Sequence, residues 1–113
     1  MKLEQTILKN LIYNEDYLRK VLPFLKTDYF GDLTERTLFN EITSFTQTYN
    51  NTPTVEALEI AVREKRNLTA DEVQRCEDYL KEVVTHKDEK TQIEWLVDKT
   101  EKFCQEKAIY NAV

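Results

Sequence analysis

The sequence predicts an all-α fold, a compact bundle of about six helices in one domain spanning residues 1–113. The chain has 1 glycine and 2 prolines, whereas average usage would give about 8 and about 6. So few turn-forming residues argue against a small β-sandwich or barrel. Apolar residues recur at helical spacing along nearly the whole chain, and no strand-like alternation persists. A chain of this length can bury one core.

Two helices are expected near the amino terminus. The first is predicted over Leu3–Tyr13, and Asn14 separates it from a second helix that begins at Glu15. Pro23 lacks the N–H that a helix interior needs, so the second helix is expected to kink or end there. The apolar residues predicted to face the core are Leu3, Ile7, Leu8, Leu11, Ile12, Tyr17, Leu18, Val21, Leu22 and Leu25.

A short turn at residues 27–32 is expected to lead into a third helix. Tyr29 and Phe30 are predicted to plug the core. Gly31, the only glycine, is predicted to supply a backbone angle that other residues avoid. The third helix is predicted over Thr34–Tyr49 and, because its inward stripe is rich in aromatic residues, is expected to be central to the core. That stripe consists of Leu38, Ile42, Phe45 and Tyr49, with Phe39 beside it.

Three more helices are expected in the second half of the chain. Thr54 is predicted to cap the fourth helix, and Thr69 with Glu72 forms the capping-box pattern that opens the fifth. A solvated break at residues 86–90 precedes a long sixth helix, predicted from about Thr91. The residues predicted to face inward are Val55, Leu58, Ala61, Val62, Val73, Cys76, Tyr79, Leu80, Val83, Val84, Ile93, Leu96, Val97, Thr100, Phe103, Cys104 and Ala108.

The last helix carries the residues of greatest functional interest. Trp95, Ile109 and Tyr110 lie off its main apolar stripe. A second apolar face on one helix indicates contact with another subunit or with more of the same chain. The alternative is that the helix crosses the bundle and buries both faces internally. Residues 111–113 carry no stop signal, a pattern more typical of a domain cut from a longer protein.

The sequence predicts no catalytic, cofactor-binding or metal-binding residue. One glycine cannot build a glycine-rich phosphate loop. His86 is the only histidine and has no neighbouring cysteine, so it lacks the partners that zinc requires. Ser44, the only serine, sits within a predicted helix with no base near it in sequence. Cys76 and Cys104 lie in apolar helical patterns and are expected to be buried thiols.

The charge balance limits the partners that the chain can bind. Its net charge of -5 makes it a poor non-specific DNA binder. Arg63, Lys65 and Arg66 form a small basic cluster, which could contact phosphate or place favourable charge at a helix carboxyl end. The second use is favoured, because so few contacts give weak phosphate binding. No apolar run approaches the roughly 20 residues of a membrane span, so no membrane partner is expected.

A series of short motifs runs in order through almost the whole chain. They are Ile7-Leu8, Leu11-Ile12, Tyr17-Leu18, Val21-Leu22, Asp28-Tyr29-Phe30, Arg36-Thr37-Leu38-Phe39 with Ile42, Pro53-Thr54-Val55, Ala57-Leu58, Trp95-Leu96-Val97, Thr100-Glu101-Lys102, Gln105-Glu106-Lys107-Ala108 and Asn111-Ala112. In this order they resemble the N-terminal domain of DnaB-type hexameric replicative DNA helicases, in particular those of T-even-like bacteriophages. The segment from Trp95 to Ala112 is the most specific to the phage branch.

The resemblance implies a collar domain that assembles and recruits but does not catalyse. Six copies would form a ring, often as three dimers, and the primase would dock on this tier. The last helix would lead into a helical hairpin, with Ile109 and Tyr110 near its base. ATP, Mg²⁺ and most DNA contacts would belong to a separate motor domain, in the cytoplasm of the infected bacterium. Two alternatives remain: a free-standing adaptor that binds protein through an apolar groove, and a small nucleic-acid binder using the basic cluster.

Overall fold

A computed structural model describes residues 1–112, which form six α-helices and no β-strand. The predicted all-α bundle is confirmed. Two short 3-10 turns, Leu22–Phe24 and Thr27–Tyr29, connect the second helix to the third. The helices are α1 (Leu3–Tyr13), α2 (Glu15–Val21), α3 (Leu33–Tyr49), α4 (Val55–Glu64), α5 (Ala70–Thr85) and α6 (Ile93–Asn111).

The core forms where α1, α2, α3 and α6 meet, and α4 and α5 pack onto α3. Of the residues of α1, Ile7 and Leu11 are fully buried, and Lys9 and Asn10 are buried with them. Phe30 lies between Phe39 and Phe103, with ring centroids 5.1 and 5.6 Å away. The segment between α2 and α3 therefore plugs the core, as its aromatic residues predict.

Local sequence explains where most helices begin. Asn14, Asp32, Thr54 and Thr69 each accept a hydrogen bond from a backbone N–H in the first turn of α2, α3, α4 and α5 respectively. These bonds satisfy donors that have no partner inside a helix. The capping box at α5 is only half formed, because Thr69 accepts from Glu72 N at 3.1 Å and the Glu72 carboxylate does not return the bond within the described residues. Pro23 lies in the 3-10 turn that ends α2, as predicted.

The prediction for Gly31 is wrong. Among residues 1–112 no glycine has a positive φ, and a Cβ placed on Gly31 would meet no atom within 4 Å. The left-handed position is Asn50 at the carboxyl end of α3, with φ of 53°. Asparagine tolerates this conformation better than most residues because its short polar side chain bonds locally. Asn50 therefore supplies the turn that glycine often provides at a helix end.

Two predicted apolar stripes extend further than the core does. Phe45 is half-buried and Tyr49 is 67% exposed, although the spacing predicts both to face inward. Their rings are tilted by 47° with centroids 4.8 Å apart, and they lie beside Ala57 and Ala61 of α4, whose side chains are too small to cover two rings. On α6 the buried stripe ends at Cys104, and the predicted core residue Ala108 is exposed.

Candidate interaction surface

The three residues singled out on α6 all lie on the outside of the bundle. Trp95 is 48% exposed, Ile109 is 71% exposed and Tyr110 is 78% exposed. The alternative in which α6 buries both of its faces within the bundle is therefore wrong for the described residues. Large apolar side chains at this exposure favour contact with a partner. Their role in subunit contact stays a prediction.

These three residues do not form one patch. Ile109 lies 14 positions after Trp95 along α6, which corresponds to a rise of about 21 Å. Ile109 and Tyr110 share the carboxyl end of the helix, where the Lys107 ammonium lies 5.9 Å from the centroid of the Tyr110 ring. Asn111 donates from its amide to the Asp28 carbonyl at 3.1 Å and ties this end of α6 to the rest of the domain. We call Ile109 and Tyr110 the terminal patch.

A groove between α2 and α6 was not predicted. Phe24 is 64% exposed and forms one wall of a cavity of about 220 Å³, with Val97 and Cys104 on the other wall. Periodicity does not reveal such a residue, because Phe24 lies in the 3-10 turn after α2. The neighbouring Pro23 is the available signal, since it ends the helix and turns the following side chain away from the α2 stripe.

The basic cluster after α4 is largely neutralised by carboxylates. Arg63 Nε lies 2.6 Å from Glu77 Oε1, and this contact raises the pKa of the Arg63 guanidinium. Lys65 Nζ lies 2.7 Å from Glu41 Oε1. Arg66 is exposed. With two of its three charges paired, the cluster is a weak candidate for a nucleic-acid surface.

Two buried charged residues hold helices together. Glu35 is 1% exposed, accepts a hydrogen bond from the Tyr79 hydroxyl at 2.7 Å and lies 3.6 Å from Lys2 Nζ. Burial, followed by this hydrogen bond, raises the pKa of Tyr79. Lys9 is 3% exposed, and its ammonium donates to the Glu89 carbonyl at 2.9 Å. Glu35 thus links α3 to α5, and Lys9 links α1 to the segment that follows α5, so both groups have structural partners.

The remaining reactive side chains are also engaged in structure. His86 bridges the carboxylates of Glu82 and Glu89 at 3.1 and 2.8 Å, and these bonds raise the pKa of the imidazole. Cys76 and Cys104 are buried free thiols, as predicted. Burial raises the pKa of Cys76 to about 11, so its sulfur stays protonated at neutral pH. Within residues 1–112, no three His, Cys, Asp or Glu residues gather into a group that could hold a metal ion.

Comparison with known proteins identifies a relative. None of the helices within residues 1–112 combines the length and the apolar character that a membrane span requires. No protein-family model matches the chain. The chain is 29% identical over 108 residues to a DnaB-like replicative helicase of Enterobacteria phage T4, and the alignment covers 96% of this chain and 22% of that protein. The chain thus spans about a fifth of the length of its relative, and its predicted resemblance to the phage DnaB-type helicases is confirmed.

Proposed function

We propose that this chain is the non-catalytic collar domain of a phage replicative DNA helicase. It supports assembly of the helicase ring and docking of the primase, in the cytoplasm of the infected bacterium. The observation that carries the proposal is the asymmetry of the alignment, which covers 96% of this chain and 22% of the helicase relative. A small module that accounts for part of a motor protein contributes positioning and assembly, while ATP hydrolysis with Mg²⁺ and unwinding belong to the remainder.

The composition of the domain supports this division of labour. A motor that transfers phosphoryl groups needs a glycine-rich loop, Mg²⁺ ligands and a catalytic arginine. The chain has 1 glycine, and its Asp, Glu, His and Cys side chains form no metal-holding group within residues 1–112. The net charge of -5 also disfavours direct and extended contact with a DNA backbone. Surface contacts with other proteins are the role that such a domain can perform.

The terminal patch and Trp95 are the proposed surfaces for subunit contact. Ile109 and Tyr110 are adjacent, largely exposed and carried on a helix whose position is fixed by the bundle. Rigid aromatic anchors are the residues that contribute most to protein interfaces, because burying them orders few side-chain rotamers. We expect the terminal patch to meet a neighbouring copy of the chain.

Sedimentation velocity tests the proposal directly. The weight-average mass of the chain should rise between about 10 µM and 1 mM, the range in which a small apolar patch produces weak dimers. Substitution Tyr110→Ser should weaken this association by roughly 30-fold, the effect of losing a contact of about 2 kcal/mol. Tyr49→Ser is the matched control, because Tyr49 is a comparably exposed tyrosine on a different helix. It should leave the mass distribution unchanged.

Two results would contradict the assembly role of this surface. A monomer that persists at 1 mM would show that the isolated domain does not self-associate. Equal weakening by Tyr49→Ser and Tyr110→Ser would show that exposed aromatics act non-specifically. Primase docking needs its own measurement, which is co-sedimentation of the chain with the primase of the same phage. A complex that forms with the chain and is lost with Trp95→Ala or Tyr110→Ser supports the collar role.

A further inference from the structure

Arg36 and Arg66 are the two arginines for which the described residues provide no ion pair, and of these two only Arg36 is partly buried. Among residues 1–112, Arg19, Arg63 and Arg75 are exposed and pair with carboxylates at 2.7, 2.6 and 3.1 Å. Arg66 is exposed to solvent. Arg36 is half-buried, yet no carboxylate of the described residues lies within ion-pairing distance and its guanidinium donates no hydrogen bond to them. Among the described residues, Thr46 Oγ1 is the buried side-chain nitrogen or oxygen that lacks a hydrogen-bond partner. The guanidinium of Arg36, which has no partner either, therefore stays in contact with solvent although part of the side chain is buried.

The position of Arg36 in its helix makes its positive charge still less favourable. It lies in the first turn of α3, where the peptide dipoles favour a negative charge over a positive one. The preceding residue, Glu35, does not compensate, because its carboxylate faces the Tyr79 hydroxyl at 2.7 Å and the Lys2 ammonium at 3.6 Å. The guanidinium of Arg36 is therefore available to an anion that is not part of the described chain.

The cavity beside Arg36 is lined by several side chains that can donate hydrogen bonds. It has a volume of about 300 Å³ and lies between α3 and the segment that joins α4 to α5. The Thr27 hydroxyl donates to Asn40 Oδ1 at 2.6 Å, which leaves the Asn40 amide nitrogen to donate elsewhere. Lys65 directs its ammonium to Glu41 at 2.7 Å and retains further N–H groups. Guanidinium, ammonium and amide donors therefore line one concavity.

We propose that this cavity binds a phosphate-type oxyanion, held by the Arg36 guanidinium with Asn40 and Lys65 at its sides. A planar guanidinium donates to two oxygens of one phosphate at once, which gives both strength and orientation. The net charge of -5 and the Glu72 carboxylate on the cavity wall oppose a long polyanion. A single free phosphate group therefore suits the site better than a nucleic-acid backbone. This site goes beyond the collar role and does not depend on it.

Titration of the ¹⁵N-labelled chain with inorganic phosphate, at ionic strength held constant with sodium chloride, tests the site. The amide resonances of Arg36, Asn40 and Lys65, and the Arg36 Nε–H resonance, should shift and saturate together. Arg36→Gln should weaken phosphate binding by roughly tenfold or more, because a charge-assisted hydrogen bond is lost. Arg66→Gln is the matched control, since it removes the same charge from an exposed arginine nearby. It should change the affinity by less than about twofold.

A third variant gives a change of opposite sign. Glu72→Gln removes the one carboxylate on the cavity wall and, with it, a repulsion against the bound anion. It should tighten phosphate binding by a few fold. If Glu72 served instead as the internal partner of Arg36 in solution, Glu72→Gln would affect stability without tightening phosphate. That outcome, with no saturable phosphate shift in the parent chain, would overturn the proposal.

Further arms of the titration identify the source of the anion. If sodium chloride alone reproduces the shifts of the resonances, the effect is one of general electrostatics and the proposal is overturned. The same conclusion follows if Arg36→Gln and Arg66→Gln weaken phosphate binding equally. Acetate binding as tightly as phosphate would overturn the phosphate assignment. If a short single-stranded oligonucleotide displaces phosphate at a concentration below the one at which phosphate itself saturates the site, the oxyanion site is supported. That result would identify nucleic acid as the source of the bound phosphate group. Absence of displacement supports a free phosphate.

Discussion

The two halves of α6 carry similar side chains but bury them very differently. In the first half Leu96 and Thr100 are at most 1% exposed, whereas in the last turns Ile109 and Tyr110 exceed 70%. The first half packs against α2, and the Tyr17 hydroxyl lies 2.6 Å from Thr100 Oγ1. The described residues offer the last turns little cover beyond the second 3-10 turn and the bond from Asn111 to Asp28.

This difference teaches that residue type alone does not assign a role on this helix. Leucine and isoleucine release similar free energy when buried, so their contribution to folding depends on how much surface the fold actually covers. The first half of α6 stabilises the domain. The terminal patch leaves apolar area in contact with water, and that area contributes little to the stability of the domain.

The largest expected effect separates the two halves directly. Leu96→Ala should lower the free energy of unfolding by about 2–5 kcal/mol, because it opens a cavity in a fully packed site. Ile109→Ala should change it by less than about 0.5 kcal/mol, since the side chain is largely exposed. Urea denaturation followed by far-ultraviolet circular dichroism measures both. Similar losses in the two variants, at a concentration where the chain is monomeric, would remove the distinction.

A smaller effect is expected where the first half of α6 bonds to α2. The Thr100 hydroxyl donates to the Leu96 carbonyl at 2.7 Å, so the Tyr17 hydroxyl donates to Thr100. Thr100→Val leaves the buried Tyr17 hydroxyl without a partner, and it should cost about 1–3 kcal/mol. Tyr17→Phe leaves Thr100 bonded to Leu96 and should cost about 1 kcal/mol. The ratio of the two losses in urea denaturation checks the direction of the bond, and a reversed ranking would contradict it.

A third change should strengthen only the first half of α6. Gln92 precedes the helix without a side-chain hydrogen bond to its first turn. Gln92→Asp supplies both a capping oxygen and a negative charge, so it should stabilise the domain by about 0.5–1 kcal/mol. The midpoint of thermal unfolding should rise accordingly. No rise, or a rise matched by Gln92→Ala, would show that the cap does not form.

The smallest expected effect lies at the loop that leads into α6. Hydrogen bonds to Glu89 and then Glu82 raise the pKa of His86 above its usual 6.5. A raised folded-state pKa means that the stabilisation is fully present below pH 6.5 and is lost as the pH rises through the folded value. The unfolding free energy of the chain should therefore decline slightly over that range, and His86→Gln should flatten the decline. An unchanged slope would place its origin in another group.

The pattern of the sequence predicts where helices begin and end in this fold, but it does not predict which of their residues stay exposed or which charges pair. Periodicity predicts α1 with the bounds that the structure has, and the cap at Thr69 marks the start of α5. The exposure of Tyr49 was missed, because it depends on small residues of α4 that are not adjacent in sequence. Arg36 has no ion pair among the described residues, and the neighbouring carboxylates of Glu35 and Glu41 lie instead beside Lys2 and Lys65, which come from other parts of the chain. Spacing within one helix carries no information about either.

The candidate site was predicted in part. Spacing along α6 separates Trp95, Ile109 and Tyr110 from the buried stripe, and the structure exposes all three. Spacing does not show whether the second apolar face of α6 is buried within the bundle or exposed to solvent. That outcome depends on where α2 and the 3-10 turns lie. Spacing does not reveal the groove beside Phe24 for a similar reason, since a residue in a 3-10 turn belongs to no periodic pattern.

Trp95 is the only tryptophan of the chain, and it is 48% exposed in the folded domain. Its indole therefore already senses water in the native state, and unfolding should shift its emission maximum only modestly to the red. A partner that covers α6 near Trp95 should instead shift the emission to the blue and reduce quenching by acrylamide. Intrinsic fluorescence of this domain thus reports docking near Trp95 better than it reports folding.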